Sequence, residues 1–121
     1  ILTAAMEAVA LRFRLIYEIL ERQVGTPERV VATGEALRKS AVWTQMMADA
    51  LGRPVVASLE KETSARGAAM LALERLGAVA HLGALESDFG EVFHPRPQFA
   101  AIYGELLAKQ QTLYRRLFET P

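Results

Sequence analysis

The stretch VVATGEALRKSAVWTQMMADALGRPVVAS, Val30 to Ser58, constrains the fold of this chain more than any other. Two short β-rich runs flank one amphipathic helical pattern. Val30 to Thr33 and Pro54 to Ser58 read as strands, the second with proline at its first position, where no ladder hydrogen bond is lost. Between them, Ser40 is suited to cap a helix that turns Trp43, Met46, Met47, Ala50 and Leu51 toward an apolar surface. Gly52 closes that helix and Pro54 stops it from continuing. Strand, helix and strand in this order predict a right-handed parallel crossover, because parallel strands cannot be joined by a tight hairpin. Two parallel strands alone leave faces and edges that need cover. The missing strands are expected either upstream of Ile1 in a longer protein or from another copy of the chain.

The flanking segments are helical. Leu2, Met6, Val9, Phe13, Ile16 and Leu20 recur at alternating spacings of four and three, which sets them on one stripe of a helix that Gly25 and Pro27 end. The chain enters this periodicity directly at Ile1, without an initiator methionine or an N-cap, and is expected to be cut from a longer protein. A third helix is predicted from about Ser64 to Leu76, stopping at Gly77, with Gly67, Ala68 and Ala69 allowing close packing beneath it. Val79 to Gly90 carries no clear period beyond a short helical turn between Val79 and Leu85. After FHPRP, whose prolines delay helix formation, a last helix spans about Gln98 to Phe118. Phe99, Ile102, Tyr103, Leu106, Leu107, Leu113, Tyr114 and Leu117 share its broad apolar side. The fold class is therefore α/β with a short parallel sheet.

Composition narrows the function. A chain of 121 residues is of single-domain size, and its 14 basic and 14 acidic side chains cancel, so no long-range field favours nucleic acid or an anionic membrane. No cysteine is present, which removes disulfides, thiolate zinc sites and a cysteine nucleophile and fits the cytoplasm. The charge-free run from Leu76 to Leu85 is far shorter than the ~20 residues a membrane helix needs. His81 and His94 stand apart from carboxylates at ligand spacing, so no metal site is expected.

The residues between the first strand and its helix raise the functional question. In open α/β sheets, ligands collect beyond the carboxyl ends of the strands, where helix N-termini present free amides. Thr33 to Ser40 occupies that place: Gly34 lets a ligand approach the backbone, and Arg38 and Lys39 are suited to phosphate or ribose. The pattern is neither a P-loop nor a dinucleotide fingerprint, and from spacing alone a strand-ending glycine beside two solvated basic residues explains it more simply.

A denser pattern surrounds that turn: Gly34, Ser40, Trp43, Gln45, Ala48, Asp49, Leu51, Gly52, Pro54 and Val55, then Glu62, Gly67, Ala68 and Ala69. These residues resemble the C-terminal domain of the FGGY carbohydrate kinases, the group of gluconate, xylulose and glycerol kinases. Ile1, Ala4, Ala5, Met6 and Glu7 are similar to the tail of that family's second signature, and Pro95, Pro97, Tyr103, Tyr114 and Leu117 to its closing helix. The resemblance implies an actin-like, ribonuclease-H-like ATPase domain, with residues 1–121 as the C-terminal part of its nucleotide side. It further implies ATP with Mg2+ in a cleft between two domains, and transfer of the γ-phosphate to a sugar, polyol or sugar-acid hydroxyl. The carbohydrate would be held mostly by an N-terminal domain of the same protein, which would also carry the catalytic aspartate, so the chain alone is expected to be inactive. On the same resemblance, Gly34 and Glu35 meet the nucleotide near its ribose and α-phosphate, and Ala36 and Lys39 lie toward the adenine. Glu35 stands where the family has a second glycine; its carboxylate either points away from phosphate or lowers the affinity. The turn leans toward the gluconate-kinase-like branch.

Two alternatives come from other classes. One is a non-catalytic interaction module that kept the fold and lost nucleotide binding, which Glu35 favours; the other is a homodimer formed through the first and last helical stripes. Glu62 is read as stabilising the helix that follows or as contributing to the cleft. Trp43, Gln45 and Asp49 are read as packing and structural residues, and Arg115 with Arg116 as a solvated helix end.

Overall fold

The computed structural model describes residues 1–119. The order is α1 (Leu2–Val24), β1 (Val30–Ala32), α2 (Glu35–Arg38), α3 (Ala41–Leu51), β2 (Val55–Ser58), α4 (Thr63–Arg75), a 3-10 turn (Leu82–Ala84), β3 (Phe89–Phe93), a second 3-10 turn (Pro97–Phe99) and α5 (Ala100–Phe118). The crossover reads as the sequence predicts: β1 and β2 are parallel, with Val30 opposite Val55 and Ala32 opposite Ala57. A third strand extends the sheet. β3 runs antiparallel to β2, pairing Phe93 with Val55 and Val92 with Val56, and a register shift separates these from Phe89 opposite Ser58. The strand order is β1-β2-β3, so β1 is an edge strand among the described residues.

Helix α3 holds the layers together because it is apolar on two sides. Toward the sheet, Ala48 packs with Ala32 and Val55; toward the other helices, Met46, Met47 and Ala50 join Ala10 and Leu11 of α1 and Tyr103 and Leu107 of α5. Its ends are fixed locally. The Ser40 hydroxyl accepts from the Trp43 amide at 3.2 Å, and Gly52 takes the left-handed conformation that closes the helix.

Asp49 fixes the chain on the other side of α3. Its carboxylate is fully buried and accepts from the Arg96 backbone amide at 2.8 Å, from Arg96 Nη2 at 2.6 Å and from Gln45 Nε2 at 3.0 Å. Gln45 Nε2 also donates to the His94 carbonyl at 2.8 Å, and the Arg96 guanidinium lies 4.3 Å from the Phe99 ring centroid. The FHPRP connection is thereby tied to α3 before α5 begins.

Between β1 and α3, Glu35 to Arg38 form a single helical turn, anchored by Leu37, which packs against both core clusters. One expectation needs correction. Gly67, Ala68 and Ala69 do not seat α4 closely on a neighbour. Gly67 has open space where a Cβ would stand, Ala68 and Ala69 are exposed, and no side chain of α4 is buried. A stripe of small residues permits close approach but cannot supply the surface to approach.

Candidate functional site

Because β1 and β2 are parallel, the segments that leave their carboxyl ends emerge on the same side of the sheet. Gly34, Glu35 and Arg38 after β1 face Lys61 to Ser64 after β2 across a cavity of about 490 Å³. Gly34 has φ 93° and ψ 152°, a conformation essentially reserved for glycine, and no atom lies within 4 Å of where a Cβ would be. Its backbone is thus turned to open space at the mouth of the strands.

The second wall is braced from beneath. The Ser58 hydroxyl accepts from the Glu60 amide at 3.2 Å, Glu60 pairs with Arg66 at 3.0 Å, and Arg66 also donates to the Glu86 carbonyl. Helix α4 starts at Thr63 without a side-chain cap, and by helix geometry its first amides have no acceptor within the helix.

Charge is divided unevenly around the cavity. Glu35 Oε1 lies 2.7 Å from Lys39 Nζ, and Glu35 Oε2 lies 3.0 Å from Arg38 Nη2. Lys39 first, and Arg38 after it, hold the Glu35 carboxyl below its ordinary range. Arg38 is half-buried, and its Nε is enclosed without a hydrogen-bond partner. Lys61, on the opposite wall, is exposed and makes no ion pair among the described residues.

Of the residues of this segment singled out by sequence, Gly34, Glu35 and Arg38 line the cavity, whereas Ala36 on α2 and Lys39 just after it are exposed and lie outside its lining. Glu62 lines it as well. Lys61, Thr63 and Ser64 escaped sequence reasoning. The strand-end rule that points to Gly34 applies equally to the carboxyl end of β2, and applied there it points to them. Among the described residues no three His, Cys, Asp or Glu side chains converge to hold a metal ion. A larger hollow of about 660 Å³ lies between α1 and α5, away from both strand ends. The strand-end cavity is preferred as the site on chemical grounds, since it combines open backbone with cationic side chains.

Comparison with known proteins decides the family. Residues 1–74 match the model of the FGGY family of carbohydrate kinases, C-terminal domain. This chain belongs to the FGGY family of carbohydrate kinases. It is 33% identical over 79 residues to an autoinducer-2 kinase from Klebsiella pneumoniae, covering 63% of this chain and 15% of that protein. It is 32% identical over 98 residues to glycerol kinase 1 from Thermotoga maritima, covering 79% of this chain and 20% of the other. The crystal structure of a xylulose kinase from Rhodospirillum rubrum superposes with a TM-score of 0.73 at 35% identity, over 93% of this chain and 23% of that one. The mixed α/β fold is accordingly that of the FGGY C-terminal domain, of the actin-like ATPase type, and the chain spans a quarter or less of the relatives it matches.

Proposed function

We propose that residues 1–121 are a C-terminal part of the nucleotide-side domain of an ATP-dependent carbohydrate kinase, and that the cavity between Gly34 and Lys61 holds part of the nucleotide. The observation that carries this reading is the Gly34 backbone, which faces open space beyond the ends of two parallel strands with a free cation opposite. Phosphoryl transfer asks a protein chiefly to position reactants and balance charge. Here the Gly34 turn admits the ribose and α-phosphate, and Lys61 and Arg38 offset phosphate charge. When the γ-phosphate passes to a sugar hydroxyl, the acceptor oxygen bonds to phosphorus as the bond to the β-phosphate bridge breaks. The proton goes to a base supplied, in this reading, by an N-terminal domain. Among the described residues no three His, Cys, Asp or Glu side chains converge on a metal, so in this reading Mg2+ would enter with the nucleotide, and the chemistry it would supply is neutralisation of phosphate charge. No described helix is long and apolar enough to cross a membrane, and the absence of cysteine accords with a cytoplasmic setting.

The test is calorimetric titration of the complete protein with ATP and magnesium, alongside Gly34→Val and Lys61→Met. Both variants are expected to bind at least fivefold more weakly; unchanged affinity in both would remove this cavity from the nucleotide site. A second reading, an interaction module without nucleotide binding, is favoured by the pairing of Glu35 with both neighbouring cations. It requires that saturating ATP and magnesium leave the melting temperature unmoved, since any ligand bound only by the folded state raises it.

A further inference from the structure

We infer that Glu35 is a built-in counter-anion that sets the affinity of the strand-end cavity for phosphate-bearing ligands. The inference rests on the nucleotide-side reading above and adds how the site is tuned. Within one helical turn, Glu35 reaches both residues that follow it on the same face, Arg38 at i+3 and Lys39 at i+4. The turn itself is fixed: Leu37 is packed between the two core clusters, and its carbonyl accepts from the Thr44 hydroxyl at 3.0 Å. The fixed backbone keeps the three residues side by side, so the carboxylate stands next to both cations.

Around the cavity and its rim, three cations (Arg38, Lys39 and Lys61) stand against two carboxylates (Glu35 and Glu62). Glu35 uses both of its oxygens on the cations of its own turn, which leaves Lys61 as the one of the three without an acidic partner among the described residues. An incoming phosphate meets Lys61 directly but has to draw Arg38 and Lys39 away from Glu35. That exchange is accessible, because the Glu35 side chain is 56% exposed and exposed ion pairs are weak. Glu35 is thus a positioning residue. It acts through two cations and is displaced by the same chemistry that it imitates.

The experiment is titration of the complete protein with ADP at two salt concentrations, and with adenosine as the phosphate-free control, for wild type, Glu35→Gln, and Glu35→Gln combined with Lys39→Met. Glutamine keeps the length and helix preference of the side chain and removes its charge. Glu35→Gln is expected to tighten ADP about fivefold, the scale of one exposed ion pair. It should also steepen the salt dependence and leave adenosine unchanged, and Lys39→Met should cancel part of the gain. ADP affinity that is equal or weaker in Glu35→Gln, while wild type binds ADP, overturns the counter-anion alone. Equal tightening of ADP and adenosine also overturns it, because charge cannot act on adenosine in that way. If neither protein binds ADP, the nucleotide reading falls and takes this inference with it.

Discussion

Replacing Asp49 by alanine tests whether the connection into α5 is held by one buried carboxylate. The side chain is 0% exposed, whereas its partner Arg96 is 49% exposed, so the two ends of the pair are not equivalent. Breaking a fully buried pair costs roughly 3–5 kcal/mol, because a charge is stranded without water. In Asp49→Ala the stranded group is Arg96, which turns to solvent. The cost is then about 2–3 kcal/mol, mostly from the orphaned Arg96 amide and the lost charged hydrogen bonds. In Arg96→Ala the stranded group is the carboxylate, kept from water and left with the Arg96 amide and Gln45 alone. That variant is expected to cost more, about 3–4 kcal/mol. The double variant should fall short of the sum by about 2 kcal/mol, as contacting residues do. Urea titration followed by circular dichroism gives all three values, and a chain of this size should melt lower by about 4 °C for each kcal/mol. Additivity within about 0.3–0.5 kcal/mol, or a smaller loss in Arg96→Ala than in Asp49→Ala, would refute the argument.

Gly34→Ala should destabilise the chain by about 1–3 kcal/mol through backbone strain alone, since nothing obstructs the added methyl group; a loss below that range in urea titration means the turn relaxes. Ser40→Ala should cost about 1 kcal/mol by removing the acceptor of the Trp43 amide, with Ser40→Gly closer to wild type. Glu21 accepts from the Tyr17 hydroxyl at 2.7 Å, and that bond first, with one from Thr26 next, holds its carboxyl below the usual range. Its folded value being the lower one, the contribution is complete above the unfolded carboxyl pKa and is lost as pH falls through the folded value. Stability measured from neutral pH down to about pH 3 should therefore decline less steeply in Tyr17→Phe than in wild type.

The crossover is legible in the sequence because each of its boundaries is marked by a residue with one physical role: Ser40 at a cap, Gly52 in the left-handed conformation, Pro54 ahead of a strand. β3 carries no such mark. Its sequence, Phe89 to Phe93, includes Gly90 and Glu91, and it becomes a strand by pairing with β2 across a register shift, a condition met only in three dimensions. At Gly90 a Cβ would come 2.9 Å from Cδ2 of Leu59, the end of an exposed side chain that can move aside, so the contact does not by itself require glycine there. The candidate site divides in the same way. Gly34 is readable from the end of a strand, but its convergence with Lys61 depends on the parallel crossover that brings both strand ends to one side.

The stripe expected on α1 is not the face that meets the core: Ala10 and Leu11 are buried there with Met6 and Leu15 against them, whereas Leu2, Val9, Phe13, Ile16 and Leu20 stay exposed, and the stripe on α5 is covered only in part. Tyr103 and Leu107 of α5 are buried, while Leu113 and Leu117 further along it are 58% and 72% exposed. On α1, Phe13, Ile16 and Leu20 remain about half exposed along a groove of about 420 Å³ beside β1, whose outer edge is unpaired among the described residues. An apolar stripe and an open strand edge side by side are what a sheet presents where another strand is to be added and covered. Adding that strand would bury the three side chains and pair β1 on its second side, and each side chain buried would contribute roughly 1–2 kcal/mol. The site's rigidity is then coupled to that edge, because Gly34 lies two residues beyond the end of β1. A polar substitution at Ile16, far from the cavity in sequence, is accordingly expected to loosen the Gly34 turn in the complete protein, seen as faster amide exchange at Glu35 and Ala36. Unchanged exchange there would mean that the turn is held by Leu37 and α3 alone.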